Sequence, residues 1–165
     1  ATEEVAKLVL AWVAALSRSI CDEPIDFPVY LITTALGFAS VENAFFLFRP
    51  VANGELLGSF LTGDLRFIGA TLIHVIASSV IGGALALVYF SEPRQKWIYG
   101  TAGVILAIFL HATFNSLIIL QGAGNVLTVF TGVWVCVVFL LLAMERVKEV
   151  ERPQWWEKIF MRRNI

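Results

Sequence analysis

FIGATLIHVIASSVIGGALALVYF, residues 67–90, is apolar along its whole length apart from His74 and a few hydroxyl side chains. Roughly 20 apolar residues in an α-helix cross a bilayer core, so this stretch reads as a membrane span. Its small residues Ala70, Ala77, Ser78, Ser79, Gly82, Gly83 and Ala84 include four-residue spacings that let a neighbouring backbone approach closely. That pattern predicts the central helix of a bundle.

The flanking sequence repeats the theme. A first helix is expected over residues 2–17, capped by Thr2 and marginal in length for a full span, and an acidic, proline-containing loop follows around Cys21 to Asp26. A second helix is expected over 27–48, ended by Arg49-Pro50, and the polar stretch 51–66 then reads as a surface loop placed to gate entry. After the central helix, a loop around Pro93 leads to a helix over 97–120, and a glycine-containing loop leads to another over 126–144. The fold class predicted is therefore all-α: a polytopic transmembrane bundle of about five membrane helices in residues 1–144. A tail over 145–165 follows, whose Trp155, Trp156, Arg162 and Arg163 suit an interfacial helix at lipid headgroups.

Composition agrees. Of 165 residues, 58% are apolar and 15% charged, and the mean hydropathy is +0.79, well beyond an ordinary soluble domain. A net charge of −1 gives no ground for a nucleic-acid partner. Cys21 and Cys136 lie in separate elements without metal-ligand spacing and read as free thiols. The chain opens on Ala1-Thr2 without an initiator Met, the pattern of an excised or processed core with upstream helices outside it. Six of the twelve basic residues lie in the tail, which the positive-inside rule assigns to the cytoplasm. Alternation of the helices then places the start of the first one on the outer side.

With that orientation, the polar residues that interrupt the apolar helices share one depth. Glu3, Glu4 and Lys7 begin the first helix, Glu42 and Asn43 lie late in the second, His74 early in the third and His111 past the middle of the fourth. Asn115 stands four residues beyond His111, on the same helix face and roughly 6 Å further out. A single membrane histidine commonly bonds a neighbouring helix. Two at one depth, the only two in the chain, accompanied by a carboxylate as deep as Glu42, require pairing, protonation or a bound cation. Glu3 and Lys7 also have the spacing of an ordinary i,i+4 ion pair.

The ordered set Glu3-Glu4-x-x-Lys7, Phe38-x-x-x-Glu42-Asn43, His74 and His111-x-x-x-Asn115 resembles the motif series of the PrsW family of intramembrane proteases, related to the CAAX prenyl protease and abortive-infection superfamily. The resemblance covers most of the chain, up to about Leu120. It implies an integral-membrane endopeptidase of a bacterial or archaeal plasma membrane, classed with metallopeptidases, with a membrane-protein substrate such as a single-pass anti-sigma factor cut on its extracytoplasmic side. The sequence lacks an HExxH zinc motif.

The residues allow the corresponding chemistry. His74, His111 and Glu42 supply the two-imidazole, one-carboxylate count of a hydrolytic zinc site. Glu3 or Glu4 is then the base and later the acid, and Asn115 donates to the oxyanion or orients His111. A metal-free variant, in which Glu4 and His74 activate water directly, uses the same residues. Two other classes fit the same polar set: a proton- or ion-relay transporter, and a non-catalytic membrane scaffold that uses these residues as inter-helical glue.

Overall fold

The computed structural model of the chain describes residues 1–52, 56–121 and 126–154. Among these, every regular element is helical: α1 (Thr2–Ala11), a π-helical turn (Trp12–Leu16), α2 (Asp26–Ala52), α3 (Leu56–Leu87), α4 (Pro93–Gln121) and α5 (Val126–Lys148). Four segments are long and apolar enough to cross a membrane, Asp26–Phe46, Phe67–Leu87, Pro93–Leu117 and Leu127–Lys148. At ten residues, α1 is too short to span by itself. The interfacial helix expected in the tail lies outside the described residues.

Several predicted boundaries are corrected. Thr2 is the first helical residue rather than the cap; Ala1 holds the cap position and contributes no side-chain bond. α2 runs through Arg49-Pro50 to Ala52, because a proline this close to a helix end removes only one N–H from the ladder. The expected loop over 51–66 is mostly helix, since α3 begins at Leu56. Leu56, Leu57, Phe60, Leu61 and Leu65 recur at helical spacing there, and that periodicity outweighs the polar residues between them. α4 begins at Pro93, where a proline's fixed φ and missing N–H suit a first helical turn.

α3 packs against each of the other four helices. Two apolar clusters flank it. Ala11, Leu16, Leu31, Ala77, Ile81 and Ala107 join α3 to α1, the π-helical turn, α2 and α4. Ile73, Ile76, Phe114, Val129 and Val133 join it to α4 and α5. Large apolar side chains face outward as well, Trp97 at 77% and Leu127 at 85% exposure, which water penalises and a bilayer does not. In the α1–α2 connection, Asp26 Oδ2 accepts from the backbone N–H groups of Asp22 and Glu23. Burial, then the charges of Asp26 and Asp22, push the Cys21 thiol up to about 11, so it stays a protonated free thiol.

The small residues of α3 set how closely its neighbours approach. A Cβ at Gly82 would lie 2.4 Å from Pro28 Cα and 2.7 Å from Pro28 N, both rigid backbone atoms, whereas a Cβ at Gly37 meets nothing within 4 Å. The same substitution therefore has opposite signs at the two sites. Gly82→Ala lowers stability by about 1–3 kcal/mol through overpacking, while Gly37→Ala raises it by about 0.5–1 kcal/mol through helix propensity; thermal unfolding in detergent measures both.

Candidate functional site

Six of the polar residues that share a depth in the sequence meet in space. α1 supplies Glu3, Glu4 and Lys7 from its first two turns, where the positive end of a helix favours carboxylates. Glu4 and Lys7 are both fully buried. α3 contributes His74 and α4 contributes His111, both buried, with their rings edge to face at 4.7 Å between centroids. Glu42 comes from α2 and is 47% exposed.

The bonding is specific. Lys7 Nζ donates to Glu4 Oε1 at 2.6 Å and lies 3.1 Å from His74 Nδ1. His74 Nε2 is 2.6 Å from Glu42 Oε2. His111 Nδ1 is 2.5 Å from Glu4 Oε1, and His111 Nε2 is 3.5 Å from Glu3 Oε2. An ionised carboxylate only accepts, so the bond to Glu4 is made by the His111 tautomer that carries its proton on Nδ1, and in that tautomer Nε2 offers its lone pair. The ion pair on α1 is thus Glu4–Lys7, three residues apart, and not the Glu3–Lys7 pair that the spacing also permits.

One acceptor in this network is left over. Glu4 Oε2 is buried with no hydrogen-bond partner among the described residues. A buried orphan carboxylate oxygen costs more than about 1–3 kcal/mol, a cost that a bound water or cation removes.

Donor atoms of Glu3, Glu4, His74 and His111 lie within 4.8 Å of one another. Glu42 stands outside that group and bonds to it through His74. Asn115 is exposed, one turn beyond His111 on α4. The residues whose parts were hardest to foresee are Lys7, which bonds two members of the group, and Phe38. The Phe38 ring lies 5.4 Å from the His74 ring and 5.7 Å from Lys7 Nζ. Its place four residues before Glu42 was the available signal, since that spacing puts both on one helix face. Ser78, one turn from His74, is fully buried within the packing of α3, and its Oγ has no partner among the described residues.

Asn43 is buried and donates from Nδ2 to Thr71 Oγ1 at 3.1 Å. Thr71 in turn donates to the Phe67 carbonyl. This bond joins α2 to α3 within one turn of both Glu42 and His74, and so holds the Glu42–His74 pair in register.

A family described as "PrsW family intramembrane metalloprotease" matches residues 1–144. "Protease PrsW" of Geobacillus kaustophilus (strain HTA426) is 27% identical over 117 residues, covering 71% of this chain and 48% of that protein. The chain thus spans about half the length of this curated relative. No solved structure matches.

Replacing Thr71 by the isosteric Val removes the acceptor for a buried amide. Thr71→Val is expected to lower stability by about 1–3 kcal/mol, and Asn43→Ala added to it costs less than it does alone. A double-mutant cycle by thermal unfolding measures that coupling.

Proposed function

Because this chain belongs to the PrsW family of intramembrane metalloproteases, we propose that it is an endopeptidase that hydrolyses a peptide bond of a membrane protein near the extracytoplasmic face. The observation that carries the reading is Glu4 Oε2, a buried carboxylate oxygen without a hydrogen-bond partner among the described residues, on a side chain grouped with two buried imidazoles. A carboxylate in that position is suited to take a proton from water and return it to a leaving amine. The Geobacillus relative is itself named a protease, which supports the same class.

The donor chemistry fits a divalent cation. Two imidazoles and two carboxylates converge, and Glu4 Oε2 lacks a partner among the described residues. Glu3, His74 and His111 would hold the ion, which this mixture of ligands suits to zinc. Glu3 then takes the ligand place for which Glu42 was the candidate in the sequence, and Glu42 supports His74 as a carboxylate behind an imidazole. When bound, the ion supplies polarisation of the scissile carbonyl.

The proton work belongs to the chain itself. Glu4 Oε2 accepts the proton of the attacking water while Oε1 stays anchored by Lys7 and His111. As the tetrahedral intermediate collapses, the same oxygen returns the proton to the departing nitrogen. Asn115, one turn beyond His111, donates to the oxyanion once a substrate covers the exposed end of the site. The substrate must unwind locally, because a helical backbone keeps its carbonyls bonded. The basic tail lies in the cytoplasm, and lipid surrounds the outward apolar side chains.

Co-expression of the full-length protein with a single-pass membrane substrate tests the assignment. Glu4→Gln and His111→Ala are each expected to reduce cleavage per folded molecule by about a hundredfold or more, with the folded fraction of each variant measured by thermal unfolding. Unchanged cleavage in both variants overturns it, and uptake of ions into liposomes by a non-cleaving wild type supports the transporter instead. Metal analysis and chelation test the ion: purified active protein free of metal and insensitive to chelators excludes zinc.

A further inference from the structure

Lys7 is a buried titratable group whose second contact, to His74, the hydrolytic scheme leaves without a task. Its side chain is fully enclosed, and an unpaired ammonium there would be severely destabilising. Pairing with Glu4 alone would satisfy the charge, yet Nζ also lies 3.1 Å from His74 Nδ1 and 5.7 Å from the centre of the Phe38 ring. The cation is therefore surrounded by an acid, an imidazole nitrogen and an aromatic ring, each of which can face one of its protons.

An ammonium donates and never accepts. Its bond to Nδ1 requires a lone pair on that nitrogen, and the single proton of a neutral His74 then belongs on Nε2. Glu42 Oε2 waits there at 2.6 Å to accept it. On the other side, Lys7 and His111 both hold Glu4 Oε1, which leaves Oε2 as the open oxygen.

We propose that Lys7 is a positioning residue of the site: in the ion-free site it fixes His74 as the Nε2–H tautomer by donating to the Nδ1 lone pair, which an incoming ion would take over, and it anchors Glu4 so that Oε2 is the open base. The kinetic part of this inference rests on the endopeptidase reading; the tautomer does not. The role differs from charge balance. Charge balance needs a cation near Glu4, whereas positioning needs a donor aimed at Nδ1.

The test is nitrogen NMR of the full chain, labelled at histidine, in lipid nanodiscs after chelator treatment, with His111→Gln to assign the two histidines. His74 in the wild type is expected to show an unprotonated Nδ1 and a protonated Nε2. Lys7→Met, which keeps the length but removes the donor, is expected to lose that preference and to lower kcat by about 10–100-fold, the usual effect of losing an orienting partner, with KM changed less than about twofold. Lys7→Gln, which keeps a donor without the charge, is expected to restore the tautomer and part of kcat. A wild-type His74 protonated at Nδ1 overturns the inference. So does a Lys7→Met protein with wild-type tautomer and kcat, or equal loss of kcat in the Met and Gln variants without a change of tautomer. If Lys7→Met does not fold, the wild-type spectrum and Lys7→Gln decide the matter. A wild type that cleaves nothing overturns the endopeptidase reading, and the tautomer then judges Lys7 alone.

Discussion

The Lys7–Glu4 pair is the interaction on which the site depends, since it brings two opposite charges together with both side chains fully enclosed by the bundle. Breaking such a pair by deleting one partner typically costs about 3–5 kcal/mol, so the short α1 is committed to keeping both ends of the pair covered. Coverage comes from helices distant in sequence: the ring of Phe38 from α2, His74 from α3 and His111 from α4. The requirement to enclose one ion pair thus assembles parts of three helices around a helix too short to cross a bilayer.

That enclosure depends on close helix approach. Gly82 admits the backbone of Pro28, and a Cβ at Gly103 would come within 2.9 Å of Ala84 Cβ and 3.3 Å of Ile81 Cα. Small residues on both sides of α3 let α2 and α4 lie near enough for the side chains of Glu42 and His111 to meet His74 and its partners. The apolar clusters on either side of the same helix supply packing but no polar function. Scaffold and site thus share α3, which carries His74 among the small residues that make it central.

Much of this was legible beforehand. Four of the five expected helices appear as segments able to span a membrane, because apolar length is a local property. The first helix and its marginal length were also legible. The stretch 51–66 was misread because its polar residues and Gly-containing dipeptides resemble a loop, while the leucine periodicity within it is helical. Of the candidate site residues, Glu3, Glu4, Glu42, His74 and His111 come together, whereas Asn115, which shares a helical face with His111 by spacing alone, is exposed. A four-residue interval aligns two side chains on a helix within some tens of degrees, and neighbouring helices decide which of them is covered.

The sequence by itself determined the class of the protein, an all-helical membrane bundle, and the identity and common depth of its polar residues. Those follow from hydrophobic length, from the rise per residue and from the high cost of a charge in hydrocarbon, all of which are written along one chain. Only the tertiary structure decided who bonds to whom. Lys7 turned to Glu4 and His74 rather than to Glu3, Glu42 took the outer nitrogen of His74, and Glu3 joined the group of possible ligands. Those choices depend on the rotation of each helix about its axis and on the distances between axes, and both are set by packing against other helices.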